Sequence, residues 1–267
     1  MPTLSALHIY PLKSCAPRTL DAAVVEARGL AYDRRWMVVD ASGKFLTGRQ
    51  YPRLTLISAV PDGDALRLDA PGMPALRIEP PQASDPRIDT AVWGARVTPQ
   101  LAAAAAHAWI SAFLGVPCRV VYMDAGCVRA VKAKYDGGYG DLVSLADSFP
   151  LLLISQAALD QLNGKLAQPL PMPRFRPNLV VADTAPHAED TWKRIRIGGI
   201  EFDVVKPCTR CVFTTIDFER GTHDPSGEPL RTLATYRRTP EGVTFGQYLI
   251  SRQLGTLRLG DAVDVVA

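Results

Sequence analysis

Hydrophobic and polar residues alternate in short runs through the first hundred positions, and this period of two predicts β-strands rather than helices. Proline and glycine punctuate the stretch 61–86, which predicts loops and short edge strands there. The N-terminal half is therefore expected to be mostly sheet, with strands at 6–12, 22–26, 54–60 and 65–68 and a hairpin joining 35–40 to 44–47.

The first clear helix is predicted at 99–114. Its apolar residues recur at the spacing of one helical face, so this face is expected to pack on the core. Thr98 is a typical N-cap, Pro99 suits the first helical position, and Gly115 suits the C-terminal end.

The second half returns to short apolar runs separated by turn residues. A helix is expected at 156–162, where Ser155 can cap its first turn. Many strands with two or three helices predict an α+β fold class with a β-barrel-rich architecture. The strands are predicted at 118–123, 150–154 and 178–182, with one hairpin over 194–205 and a last one over 258–266.

Composition narrows the class of protein. The chain has 267 residues, 47% hydrophobic and 21% charged, so it can bury a sizeable core in one or two domains. A net charge of +3 is too small to indicate nucleic-acid binding, but it is compatible with a local basic pocket. Five cysteines, no export signal and no apolar stretch long enough for a membrane span predict a cytoplasmic protein with reduced thiols and no membrane partner.

Two cysteines three positions apart, Cys208 and Cys211, carry the clearest chemical signal. A thiolate is a soft metal ligand and a nucleophile, and Arg210 between them favours ionisation. A zinc ribbon would need a second cysteine pair, and a redox motif should begin a helix, whereas 212–216 is typical of a strand. A reactive or metal-ligating thiolate and a pair of buried structural thiols both remain open.

Basic residues near predicted strand ends form a second group of candidates. Lys13 and Ser14 can bind an oxyanion or form a solvated turn. Arg34, before an apolar strand, can hold a phosphate or a pterin edge or form a surface ion pair. Arg176 and Asn178 lie two positions apart beside a predicted buried strand, and their side chains would share one side of it.

Several short motifs in a fixed order resemble one known family. The chain is similar to MOSC-domain proteins with an N-terminal MOSC β-barrel domain, the family of the mitochondrial amidoxime-reducing component and its bacterial relatives. The resemblance covers nearly the whole length and implies two domains, at 1–120 and 121–267. One departure is Phe218, where many relatives have proline. The motifs are YPLKSC (10–15), DRRW (33–36), GRQYPRL (48–54), SLAD (144–147), FRPN (175–178), AEDTW (188–192), PCTRC (207–211), FGQY (245–248) and LGD (259–261).

The resemblance also implies a molybdenum–molybdopterin cofactor (Moco) held between the two halves. Cys211 matches the family's molybdenum ligand, which makes it the catalytic residue and the metal-binding residue. A buried dianionic phosphate needs several compensating donors, and scattered motifs of this chain supply them. The implied cofactor-binding residues are Lys13, Ser14, Arg34, Ser148, Arg176, Asn178, Arg210 and Tyr248.

The activity implied by the resemblance is an oxidoreductase activity. Oxygen would be removed from nitrogen of a small N-hydroxylated compound (a hydroxylaminopurine, an amidoxime or a hydroxylamine) at a cysteine-ligated molybdenum. The chain has no further cysteine cluster and no dinucleotide fingerprint, so a separate ferredoxin-, flavoprotein- or cytochrome-type donor is expected. The alternative is a sulfur- or molybdenum-cofactor-carrier protein that uses a cysteine persulfide.

Overall fold

The computed structural model describes all 267 residues, and short strands dominate it. The N-terminal half contains twelve strands and one helix, α1 (Ala104–Leu114). The strands are β1 (Thr3–Ile9), β2 (Arg18–Leu20), β3 (Ala22–Glu26), β4 (Gly29–Leu30), β5 (Trp36–Asp40), β6 (Ser58–Asp62), β7 (Ala65–Asp69), β8 (Leu76–Ile78), β9 (Thr90–Val92), β10 (Ala95–Val97), β11 (Gln100–Leu101) and β12 (Cys118–Tyr122).

The C-terminal half adds ten strands and three short helices, α2 (Ala133–Asp136), α3 (Gln156–Asn163) and α4 (Leu230–Tyr236). The α+β, strand-rich fold class predicted from the sequence is confirmed. The strands are β13 (Leu151–Ser155), β14 (Leu179–Ala182), β15 (Arg194–Ile197), β16 (Ile200–Thr209), β17 (Ile216–Asp217), β18 (Thr222–His223), β19 (Arg238–Thr239), β20 (Gly242–Ser251), β21 (Gly255–Arg258) and β22 (Val263–Val265).

One large sheet joins the two ends of the chain. Its strand order is β2-β1-β14-β13-β20-β16-β15-β22, with β19 beside β20. All its pairs are antiparallel except β13–β14. The first strands of the chain therefore belong to a sheet made mostly of C-terminal residues, and β3 likewise pairs with β21.

The two largest clusters of the hydrophobic core are arranged in the same way as the sheets. A cluster of 18 buried residues packs N-terminal Leu4, Leu7 and Ile9 against C-terminal residues such as Leu179 and Phe202. A second cluster, of 20 buried residues, packs α1 against the small sheets β6-β7-β8 and β11-β12-β5. The N-terminal sheets are thus anchored to the large sheet through the first thirty residues.

Several local predictions change where tertiary contacts compete with sequence signals. The helix predicted at 99–114 begins only at Ala104, because Gln100 and Leu101 pair with β12. The strand predicted at 54–60 is split into a 3-10 helix, Pro52–Leu56, and β6. The hairpin predicted at 35–47 is reduced to one bridge between Val39 and Phe45.

The last predicted hairpin, over 258–266, is also wrong. Its two strands, β21 and β22, pair with β3 and β15, which lie in different sheets. By contrast, α3 begins as predicted, since the Ser155 hydroxyl accepts a hydrogen bond from the Ala158 amide at 3.2 Å. Gly115 ends α1 as predicted, in the left-handed conformation.

Candidate active site

A cleft of about 830 Å³, including its open mouth, lies where the two halves of the chain meet. Both halves contribute to its wall, and all nine residues predicted from the sequence line it: Lys13, Ser14, Arg34, Ser148, Arg176, Asn178, Arg210, Cys211 and Tyr248. These predicted residues are therefore neighbours in space, although 235 positions of the sequence separate Lys13 from Tyr248.

Arg34 connects the two halves at the floor of the cleft. Its guanidinium donates to the Asp33 carboxylate at 2.5 Å and to the Asn178 amide oxygen at 3.1 Å. Burial alone would lower the pKa of Arg34, but the buried Asp33 raises it above the ordinary value. The Asn178 oxygen also accepts from the Leu152 amide, so Asn178 positions Arg34 rather than offering a free acceptor.

Arg176 is the least compensated cation of the site. Its Nη1 donates to the Cys15 carbonyl at 2.6 Å, whereas its Nη2 is buried without a partner. Its guanidinium lies 3.9 Å from the centroid of the Tyr10 ring, with Arg34 on the same ring at 4.3 Å. Burial lowers the pKa of Arg176 to about 10, and the positive charge of Arg34 acts in the same direction. An anion beside Nη2 would satisfy both the charge and the orphan donor.

Lys13 and Asp147 form an ion pair on another part of the wall. Lys13 is 6% exposed, and its ammonium donates to the Asp147 carboxylate at 2.5 Å and to the Leu145 carbonyl at 2.7 Å. Asp147 is half exposed; partial desolvation of its carboxylate acts to raise its pKa, but the charge and hydrogen bond of Lys13 hold that pKa well below its ordinary range. Burial lowers the pKa of Lys13, and Asp147 partly offsets that effect.

The two paired cysteines occupy different environments. Cys208 is 3% exposed, and Arg210 donates to its sulfur at 2.9 Å while a second guanidinium nitrogen donates to the Phe175 carbonyl at 2.6 Å. Burial raises the pKa of Tyr248, and its contact with Cys208 raises it further. Cys211 is partly exposed to the cleft. The accessible thiol is therefore Cys211, and the arginine between the cysteines contacts the buried one.

The segment after Cys211 is not the strand predicted at 212–216. It is a 3-10 helix, Val212–Thr215, in which the Thr214 amide and hydroxyl both donate to the Cys211 carbonyl. Thr215 repeats the pattern with a hydroxyl bond to the Val212 carbonyl at 2.8 Å. These local side-chain bonds override the β-propensity of the threonines.

Strained backbone concentrates in this cleft. Seven non-glycine residues of the chain have positive φ, and four of them line the cleft: Ser14, Arg34, Trp93 and Arg176. Such conformations cost about 1–3 kcal/mol each and persist where surrounding structure over-determines them. Ser14 illustrates this, since its hydroxyl accepts from the Gly48 amide at 3.1 Å and keeps its own proton to donate.

Sequence reasoning missed several residues of the wall. Asp147 and Gly48 stand in motifs used for the resemblance, yet neither was expected in the site. Gly48 is needed because a Cβ there would overlap the ring of Phe213. Trp93 carried no motif, and its signal was its place before a glycine at a strand end.

The charge of the lining fits a polyanionic cofactor. Five cationic residues line the cleft (Lys13, Arg34, Arg49, Arg176 and Arg210), against one acidic residue, Asp147. Buried polar groups are normally hydrogen-bonded, yet two guanidinium nitrogens here, Arg176 Nη2 and Arg210 Nε, have no partner. Surplus positive charge, orphan donors and an accessible thiol together match the needs of a phosphate-bearing, thiol-ligated metal cofactor.

Comparison with known proteins agrees with this architecture. The model for the MOSC N-terminal beta barrel domain matches residues 1–117, and the model for the MOSC domain matches residues 141–264. The mitochondrial amidoxime-reducing component 1 of Mus musculus is 36% identical over 98% of this chain and 81% of its own length. The Danio rerio protein of that name is 35% identical over 97% and 83%, and the Homo sapiens one 32% identical over 98% and 82%.

The chain therefore belongs to the MOSC-domain family with an N-terminal MOSC β-barrel domain, as the motif order predicted. The domain division at residue 120 stays a prediction. The two matched ranges leave 118–140 between them, and within that segment β12 pairs with β5 of the N-terminal half. None of the helices has the length and apolar character required to cross a membrane.

We predict that Asp147→Asn destabilises the protein, because it leaves the buried Lys13 ammonium without a counter-charge. The expected loss is about 1–2 kcal/mol, below the 3–5 for a fully buried pair because Asp147 is half exposed. Since the folded-state pKa of Asp147 is lowered, the pair contributes fully above the unfolded pKa of about 4. The contribution disappears as the pH falls through the folded value.

Urea unfolding of the cofactor-free protein between acid and neutral pH measures this difference. The control is Asp69→Asn, which breaks an exposed ion pair with Arg67 and should change stability by less than about 0.5 kcal/mol. Equal stability of wild type and Asp147→Asn at neutral pH would contradict the prediction.

Proposed function

We propose that this protein is a molybdenum-cofactor-dependent reductase of N-hydroxylated compounds, with hydroxylaminopurines, amidoximes and hydroxylamines as substrate classes. The observation that carries the proposal is the cleft itself, which gathers one accessible thiol and a surplus of buried cationic donors at one place. Family membership supports the same function, because relatives that match along nearly the whole chain are named for amidoxime reduction.

The cofactor would be held by residues from both halves. Arg34, Arg176 and Lys13 would bind the phosphate and pterin edges, and Ser14 would donate its free hydroxyl proton. When bound, the molybdenum–pterin group supplies a two-electron reductant that is also a Lewis acid. Tyr248, Arg210 and Ser148 complete the wall around that position.

Cys211 is the proposed metal ligand, and Cys208 the structural partner beside it. A metal ligand must reach the cleft as a thiolate, and Cys211 is the partly exposed residue of the two cysteines that line it. Cys208 is packed in a core cluster with Phe175 and Phe245 and is held by Arg210. In this arrangement Cys208 holds Arg210 in place, and Cys211 would ligate the metal rather than attack the substrate.

The overall reaction consumes two electrons and two protons. The N–O bond of R–NHOH breaks, the nitrogen is left as R–NH2, and the oxygen leaves as water; an amidoxime gives an amidine in the same way. The electrons would come from a separate ferredoxin-, flavoprotein- or cytochrome-type donor, because this chain has neither a further cysteine cluster nor a dinucleotide fingerprint.

A carrier function is the second candidate. Both cysteines of the pair line the cleft, which would also suit a persulfide on Cys211 that is passed to another protein. Such a carrier would bind sulfur or the cofactor without turning over an N-hydroxylated compound.

The deciding experiment purifies the protein from a host that makes the cofactor and measures molybdenum together with reduction of hydroxylaminopurine, benzamidoxime and hydroxylamine. We expect turnover with a chemical reductant or a flavoprotein–ferredoxin pair, and none with NADH alone. Metal-loaded protein that leaves all three compounds untouched under reducing conditions would favour the carrier function.

We predict that Cys211→Ala abolishes bound molybdenum, whereas Cys208→Ala retains at least part of it. The reason is that Cys211 is the partly exposed cysteine of the two, while Cys208 is buried and accepts a hydrogen bond from Arg210. Elemental analysis per mole of protein measures the difference, and a thermal melt of both variants controls for misfolding. Loss of metal in Cys208→Ala with full retention in Cys211→Ala would reverse the assignment.

A second prediction contrasts two arginines of the floor. Arg34→Met leaves the buried Asp33 carboxylate without its cation and should lower the stability of the cofactor-free protein by about 3 kcal/mol. Arg176→Met removes a buried charge that has no counter-ion, so its loss of stability should be smaller.

Both variants should nevertheless lose bound pterin, because each removes a donor to the same anion. Urea unfolding of the cofactor-free proteins and pterin fluorescence after oxidative release measure the two effects separately. Full pterin occupancy in Arg176→Met would show that the orphan donor is not part of the cofactor site.

A further inference from the structure

Trp93 occupies a position that its side chain does not suit. It forms, with Gly94, the two-residue turn between β9 and β10, and both turn residues have positive φ, +49° and +86°. Turns with two positive φ values favour Asn-Gly or Gly-Gly, and a bulky aromatic residue at the first position is strained. A residue whose conformational preference disagrees with the turn that it occupies is expected at functional sites.

The indole is also the exposed one among the four tryptophans of the chain. Trp93 is 45% exposed, whereas Trp36, Trp109 and Trp192 are 4%, 6% and 7% exposed. One contact of Trp93 is with Phe45, edge to face with 5.0 Å between ring centroids. The strain at the turn is therefore not repaid by burial of the indole.

The side chain of Arg49 contacts this indole. Its guanidinium carbon lies 4.5 Å from the centroid of the Trp93 ring, and its nitrogens make no hydrogen bond or ion pair within the chain. Arginine stacks on planar rings and donates in their plane. The pair therefore offers a flat apolar surface and free donors at one place.

The pair lies at the mouth of the cleft, above the proposed cofactor site. Trp93 and Arg49 line the same cleft as Cys211, but Trp93 is largely exposed whereas Lys13, Asn178 and Cys208 at the floor are buried. Asp147 lines the same cleft, and both the indole N–H of Trp93 and the charge of Arg49 are among the groups that lower its pKa. A substrate approaching from solvent meets this surface first.

We propose that Trp93 and Arg49 form a stacking wall that selects substrates with a planar heteroaromatic ring, such as an N-hydroxylated purine, over small aliphatic ones. The guanidinium of Arg49 lies over one face of the indole, and the substrate ring stacks on this Trp93–Arg49 pair. This inference rests on the proposed reductase function and specifies its substrate class. The backbone strain of the turn is then a consequence of placing an indole at the mouth of the cleft.

The first test separates an effect of Trp93 on protein stability from its effect on substrate selectivity. Trp93→Asn places a favoured residue in the turn, so its Tm should equal or exceed that of wild type. Its ratio of kcat/KM for hydroxylaminopurine over hydroxylamine should fall by about tenfold, the scale of one lost base–aromatic stack. Trp93→Phe keeps an aromatic face and should retain most of the ratio. A lowered Tm with an unchanged ratio would show a packing role and overturn the proposal.

The second test needs no turnover. Because the other tryptophans are buried, quenching of indole fluorescence by 6-hydroxylaminopurine should arise from Trp93. The quenching should be strong in wild type and absent in Trp93→Phe, which should still bind the purine by calorimetry. If wild-type protein binds the purine without quenching of its indole fluorescence, the proposed stacking wall is wrong. If the purine quenches the fluorescence but no substrate is reduced, the stacking wall is supported and the proposed reductase function is rejected.

Discussion

The antiparallel pairing of β1 with β14 is the constraint on which the site depends. The end of one strand meets the beginning of its antiparallel partner, so the segment after β1 is placed beside the segment before β14. The His8 amide donates to the Asn178 carbonyl at 2.8 Å, and the Tyr10 hydroxyl donates to the Pro177 carbonyl at 3.0 Å. Lys13 and Arg176 face one cleft because this register holds them there.

The site has a second physical property, a concentration of positive charge that the protein itself does not neutralise. Arg34 and Lys13 have carboxylate partners, whereas Arg176 rests on carbonyl and aromatic contacts. Desolvation of such a cation is unfavourable, and an anionic ligand is the ordinary way to offset it. The uncompensated charge of Arg176 and an affinity of the cleft for anions are two aspects of the same arrangement.

The sequence predicted which residues line the cleft better than it predicted the elements that carry them. Lys13 and Asn178 were predictable because their motifs are short and local. The 3-10 helix after Cys211 was not predictable, because hydrogen bonds from threonine hydroxyls to the backbone favour it over a strand. The role of Asp147 depends on a partner 134 positions away, and the strain at Trp93 depends on a turn type, so neither is visible in local patterns.

The shared sheet also constrains how the protein is made. β1 is synthesised before its partner β14, which begins at Leu179, and β3 is synthesised before its partner β21, Gly255–Arg258. Until then the apolar residues Leu4, Leu7 and Ile9 have no sheet to join, and contacts of such long sequence separation form slowly. On the ribosome, therefore, the cleft cannot assemble until most of the chain has emerged, and a nascent chain halted before β14 exposes an unpaired apolar strand.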